Sequence, residues 1–181
     1  RMKERDLKNP EEYVAFAGNS EEERQLFGKA LLVSYSEFFR NPFTFAVLGR
    51  VIIPDLIFRT RQQKGREIRI WSTASSIGQE AYSLAILLKD TLKLNGNGLN
   101  FRIFSTDINE KVLILARQGI YPSSMLGQAP LRYIERYFQK ERGNYGVVQE
   151  ISDHVEFTAF DLLDTNHYCT PSCIYGFFDI V

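Results

Sequence analysis

The residues best placed to do chemistry fall in two neighbouring stretches, Arg69–Ser83 and Phe101–Asp107. The first reads as a short strand, Ile68–Ser72, a small-residue turn over Thr73–Gly78, and a helix from Gln79. A parallel sheet opens in this way to receive a nucleotide-like ligand. In the second stretch an apolar run, Phe101–Ser105, ends just before Asp107. A carboxylate there is placed to accept both hydroxyls of a ribose, and equally to cap a helix starting at Asn109. Gly78 either lets the backbone approach a ligand or simply permits a tight turn. Glu80 falls in the first helical turn, where the helix dipole favours an acid. From there it can also meet a cationic group on a ligand lying over the turn. No G-x-G-x-x-G occurs, which disfavours a nicotinamide or flavin dinucleotide.

These residues need a scaffold, and the pattern supplies one. Residues 1–60 read as helical: Asn9-Pro10-Glu11-Glu12 is a capped start, and Asn19-Ser20-Glu21-Glu22-Glu23 repeats the signature. Pro42 and Pro54 punctuate two further short helices. The polar stretch 62–66 separates a helical domain, 1–62, from a second domain, 67–181. In that second domain, strand 68–72, helix Gln79–Leu94, strand 101–105 and helix Asn109–Gln118 closed by Gly119 alternate, which predicts an α/β fold with a parallel, doubly wound sheet. A helix is expected over Leu131–Gln139, then a small β insertion within about 138–152, and strands at Val155–Ala159 and Phe177–Val181. The last reads as a buried central strand, so the chain is expected to be a fragment whose sheet continues beyond it.

Composition excludes some classes. A chain of 181 residues that is 44% hydrophobic and 24% charged is not disordered. No apolar run is long enough to span a bilayer, and Arg1–Asn9 is too polar for a signal peptide. The net charge is zero, with a basic excess at Arg40, Arg50, Arg59, Arg61, Lys64 and Arg66 that suits an acidic partner or a solvated helix face. Cys169 and Cys173 have metal-like spacing, but only His167 is nearby, so they read as reduced, cytoplasmic thiols and no metal is expected.

Four separated segments, in order, resemble one family. Ser36-Glu37-Phe38-Phe39-Arg40-Asn41-Pro42 is similar to a T-x-F-F-R-(D/N)-P block, and Trp71–Ser83 to a W-S-A block leading into S-T-G-E-E-P-Y-S. Ser105-Thr106-Asp107-Ile108-Asn109 with Ala116–Tyr121 is similar to A-T-D-I and A-R-x-G-x-Y; Phe157–Leu163 and Phe178–Val181 are similar to F-x-x-x-N-L-L and F-D-(L/V)-I. Together they resemble the CheR-type chemoreceptor glutamate O-methyltransferases, which use S-adenosylmethionine. Gln79, Ala81, Ile77 and Ser36 depart from the pattern, and Asp161 stands where the family usually has asparagine.

The resemblance implies a Rossmann-like class I methyltransferase sheet with strand order 3-2-1-4, preceded by a small all-α domain and continued past Val181. It implies that Ser36, Arg40, Ala74, Gly78, Glu80, Asp107, Asp161 and Leu162 surround the cofactor. Within that set Glu80 would meet the methionine ammonium, Asp107 would hold the ribose, Asp161 and Leu162 would flank the adenine, and Arg40 would be catalytic. The implied acceptor is a glutamate on a chemoreceptor or related signalling helix, in the cytoplasm, with no nucleic acid and no membrane insertion. Some members dock a receptor's C-terminal peptide on the β insertion; a solvated hairpin is the simpler expectation. Two alternatives remain: a non-catalytic module that binds S-adenosylmethionine or S-adenosylhomocysteine, and a small-molecule methyltransferase.

Overall fold

The computed structural model describes residues 2–31, 36–63, 66–95, 98–164 and 177–181. The chain folds as two compact units, Arg1–Tyr35 and Ser36–Val181. In the first, α1 (Pro10–Gly18) begins as the sequence predicts, with Asn9 Oδ1 accepting the Glu12 N–H at 2.8 Å and Pro10 at the first helical position. Ser20 Oγ accepts the Glu23 N–H at 3.2 Å and starts α2 (Glu21–Leu31). Glu23 is buried, and its carboxylate accepts from the Tyr13 hydroxyl and from Arg5, which replaces the water it gave up.

The second unit opens with α3 (Pro42–Val47), a π-helical turn (Leu48–Ile52) and α4 (Ile53–Arg61) as one helical run. Pro54 sits in the first turn of α4, and its ring would crowd the Arg50 carbonyl in a regular helix; the wider π turn relieves this. Through Ile53, Leu56 and Ile57 the run joins the core shared by α5 and the first strand. Helices that the sequence groups with the N-terminal domain therefore belong to the same unit as the sheet.

The strands are β1 (Ile68–Ser72), β2 (Phe101–Asp107), β3 (Ile120–Pro122), β4 (Phe138–Glu141), β5 (Asn144–Val147) and β6 (Val155–Ala159). The main sheet is parallel, in the order β1-β2-β6, with Ile70 beside Ile103 and Asp107 beside Ala159. Parallel neighbours need crossovers. α5 (Gln79–Leu94) connects β1 to β2, and α6 (Glu110–Gln118) follows β2. β2 is buried almost throughout, as an interior parallel strand should be. Beyond the free edge of β1, Ile180 makes one parallel bridge to Ile70, so the strand expected over Phe177–Val181 is a single bridge here. Asp179 secures it: its carboxylate accepts the Arg69 N–H at 2.9 Å and pairs with the Arg66 side chain.

A second, antiparallel sheet has the order β3-β5-β4; β4 and β5 lie within 138–152, where the insertion is expected, and β3 lies outside that range. The β4–β5 hairpin turns at Arg142 and Gly143, both with positive φ. α7 (Leu131–Tyr137) ends two residues earlier than the sequence suggests because Phe138 starts β4, and α8 (Gln149–Ser152) leads into β6. Phe38, fully buried, stands edge-on to Tyr121 at 4.9 Å and to Phe138 at 5.1 Å. His167, Cys169 and Cys173 lie outside the described residues.

Truncating Phe38 to alanine removes the ring on which β3 and β4 converge. Phe38→Ala is expected to lower the unfolding free energy by about 3–5 kcal/mol in urea titration. His154 stacks on Phe101 at 4.0 Å with Nδ1 against the Phe101 carbonyl, and burial pushes its pKa below the usual 6.5. The unfolded chain then takes up the proton first, so stability is full above the unfolded value and falls as pH drops towards the folded one. A His154→Gln variant should flatten that part of the stability–pH curve.

Candidate active site

The site is built on the loop between β1 and α5. Ala74 and Ser76 carry positive φ, 51° and 53°, and Gly78 follows at 84°. The left-handed region costs a non-glycine residue roughly 1–2 kcal/mol, so other bonds must hold it. The Ser75 N–H donates to the Thr106 carbonyl at 2.9 Å, and the Ser76 N–H to Asp107 Oδ2 at 2.8 Å. Trp71 Nε1 donates to Thr106 Oγ1 at 3.0 Å, tying together the ends of β1 and β2. From β3, the buried Tyr121 hydroxyl donates to the Ile77 carbonyl at 2.7 Å. Burial raises the Tyr121 and Tyr82 pKa values, so both phenols remain donors.

Gly78 is fixed by close packing beneath the loop. A Cβ there would lie 2.7 Å from the Phe157 ring and 3.0 Å from Ala116 Cβ. The glycine therefore serves both the positive φ and the approach of α5 to β6.

Asp107 ends β2 with both carboxylate oxygens engaged: Oδ2 by the Ser76 N–H, and Oδ1 by the Asn109 N–H at 2.9 Å. The α6 cap is Asn109 itself, whose Oδ1 accepts from the Lys111 N–H. Each Asp107 oxygen retains a second lone pair for a ligand hydroxyl. Glu80 is exposed in the first turn of α5, and its Oε1 accepts from Ser72 Oγ at 2.8 Å. The segment after β6 comes to the same edge, with the Phe160 N–H on the Asp107 carbonyl at 3.1 Å. Asp161 and Leu162 follow, both exposed; Asp161 Oδ1 accepts the Leu163 N–H at 2.9 Å.

The loop after β1 with Ala74 and Gly78, the first turn of α5 with Glu80, the end of β2 with Asp107 and the segment after β6 with Asp161 and Leu162 thus lie at one end of the sheet. The Ser36–Arg40 segment reaches the first turns of α5 through a different contact: Ser83 Oγ accepts the Phe39 N–H at 3.0 Å while donating to the Gln79 carbonyl at 2.7 Å. Phe39 stacks on Tyr133 at 5.1 Å, Gln128 Nε2 donates to Glu37, and the next side chain, Arg40, is exposed. The sequence pattern does not single out Ser72, Ser83, Thr106 or Phe157. Small polar residues at strand ends and one helical turn past Gln79 are the signal that was available.

An open parallel sheet carrying two carboxylates around a tethered loop at its C-terminal edge defines a nucleotide-type cofactor-binding α/β domain. Residues 34–174 match the family described as CheR methyltransferase, SAM binding domain, and the chain belongs to that family. It is 37% identical over 159 residues to Chemotaxis protein methyltransferase 2 of Pseudomonas aeruginosa, covering 86% of this chain and 54% of that protein. To the Chemotaxis protein methyltransferase of Salmonella typhimurium it is 34% identical over 155 residues, 83% of this chain and 50% of that protein. The Escherichia coli protein of the same name is also 34% identical, over 82% of this chain and 49% of its own length. The chain spans about half the length of these curated relatives. S-adenosylmethionine is the cofactor that the family implies, and no described helix is long and apolar enough to cross a membrane.

The donor set suits that cofactor. An exposed carboxylate at Glu80 complements an ammonium, and the outer lone pairs of Asp107 complement ribose hydroxyls. Ser75 Oγ and Ser76 Oγ are buried in the loop with no hydrogen-bond partner among the described residues. Because Gly78 has no room for a methyl group, Gly78→Ala is expected to cost at least about 2 kcal/mol, from backbone strain and overpacking together. Calorimetric melting checks the stability, and S-adenosylhomocysteine titration of the surviving folded fraction should show weakened binding.

Proposed function

We propose that this chain is the cofactor-binding part of an S-adenosylmethionine-dependent protein-glutamate O-methyltransferase acting on chemoreceptors or related signalling proteins in the cytoplasm. The observation that carries the reading is the pair of carboxylates, Glu80 and Asp107, set on either side of a loop whose backbone Asp107 itself holds. In this reading the sheet order β6-β2-β1 continues past β1 through the segment ending at Val181, giving the order 3-2-1-4. The cofactor lies at the switch point beside β1. Helices α1 and α2 would belong to a small all-α N-terminal domain.

Glu80 holds the ammonium of the cofactor's amino-acid end, Asp107 its ribose, Asp161 and Leu162 its adenine, while Ala74 and Gly78 line the path and Ser36 borders it. When bound, the cofactor supplies an electrophilic methyl group on a sulfonium. The acceptor glutamate needs no general base, since a carboxylate with a reference pKa of about 4.3 is ionised at pH 7. Arg40 orients that carboxylate without clamping it, because a tight bidentate pair would withdraw the lone pair that must attack. Because a methyl transfer from such a donor would disperse charge, the contribution of this chain's residues would be alignment and exclusion of water. The partner this site argues for is a receptor helix that presents glutamates; the β3-β5-β4 sheet is read as a solvated platform.

The test uses the full-length polypeptide carrying this sequence. Tritiated methyl groups from S-adenosylmethionine should appear on receptors of its own organism as base-labile esters. S-adenosylhomocysteine should bind, and Asp107→Ala should weaken that binding by a factor of about 30 or more, equivalent to roughly 2 kcal/mol. Binding without methyl transfer would favour a non-catalytic signalling module. No binding would overturn the assignment.

A further inference from the structure

We propose that Ser72 is a positioning residue for the amino-acid end of the cofactor, acting through Glu80; the inference rests on the cofactor reading above. Ser72 is the last residue of β1 and is 3% exposed. It shares a strand face with Ile68 and Ile70, which are fully buried and apolar. A third apolar residue would continue that face. A buried hydroxyl instead costs free energy unless it is bonded, and this one is, donating to Glu80 Oε1 at 2.8 Å.

The bond is not needed to keep Glu80 comfortable. Glu80 is exposed, so water is available to its carboxylate, and the α5 N-terminus already favours an acid there. What the hydroxyl adds is orientation. A glutamate side chain loses rotamer freedom when it is immobilised, and that loss otherwise falls on ligand binding. With Oε1 held from the strand, Oε2 is the oxygen left for an ammonium. Neighbouring hydroxyls sharpen the contrast, because Ser75 Oγ and Ser76 Oγ are buried without a partner among the described residues while Ser72 has one. The Trp71–Thr106 bond pins the strand end from which Ser72 projects, so the donor stays in place.

The experiment titrates the full-length polypeptide with S-adenosylhomocysteine and with 5′-methylthioadenosine, which keeps the adenosine and sulfur but lacks the ammonium and carboxylate. Ser72→Ala should weaken S-adenosylhomocysteine about tenfold and leave methylthioadenosine within about twofold of wild type. Ser72→Thr, which keeps the hydroxyl, should restore most of the loss. On a Glu80→Ala background, Ser72→Ala should have no further effect. Should the alanine variant fail to fold, Ser72→Cys, of similar volume and with a much weaker donor, carries the same expectations. Unchanged S-adenosylhomocysteine affinity in Ser72→Ala, or equal loss of both ligands, overturns the proposal. A wild-type protein that binds neither ligand overturns the cofactor reading instead.

Discussion

The grip of Asp107 on two backbone amides is the constraint from which the rest of the site follows. Irregular backbone beside a sheet must find partners for its N–H groups or lose free energy. The loop after β1 finds them at the end of β2, on the Thr106 carbonyl and the Asp107 carboxylate. That capture holds Ala74 and Ser76 in the left-handed region and fixes where α5 can begin. The position of α5 then sets Glu80 in the first turn and Ser83 one turn later. Ser83 in turn receives the Phe39 amide and delivers Arg40. One side chain thus holds the loop through one oxygen and the chain before α6 through the other, with further acceptor capacity left on each.

Helix α5 is the rigid axis of this arrangement. It is buried along most of its length, an unusual state for a helix beside a sheet, because α4, α7 and α8 join β2 in covering it. Some of its polar side chains are paired across that cover: Asp90 accepts from Arg136 at 2.9 Å, and Lys89 and Lys93 both reach Glu150 on α8, whereas the buried Gln79 amide has no side-chain hydrogen-bond partner among the described residues. Those lysines hold the Glu150 carboxyl below its ordinary pKa against a smaller opposing effect of burial. Packing on so many sides holds Glu80 and Ser83 at fixed positions beside the loop.

What was legible in the sequence was whatever is decided locally. The Asn9 cap, the Gly119 stop and the β-α-β-α rhythm depend on residues a few positions apart, and the structure has each of them. Asp107 was legible as a residue that matters, with ribose and cap both open. The cap went to Asn109, while Asp107 took a third role, holding a loop 31 residues upstream. β3 was invisible for a physical reason. It is a three-residue edge strand with one buried side chain and a proline at its end, so it carries no period to read. The role of Ser72 was hidden too, because a serine that ends a strand looks like the start of a turn until the glutamate across the loop is seen. At the other extreme, Phe177–Val181 has the composition of a buried strand and makes one bridge, since composition speaks of burial and not of a neighbour.

The Tyr121 hydroxyl on the Ile77 carbonyl sets a limit on how this domain can diversify. The β4–β5 hairpin meets solvent at Arg142 and Gly143, and chain can be added or exchanged at that tip without reaching the loop after β1. β3 has no such licence, because it is at once an edge of the small sheet and a strut under the loop. Grafting the insertion of one relative onto another is therefore a clean exchange only when the cut falls after Tyr121. A cut before it trades a peripheral ornament for a structural support of the candidate site.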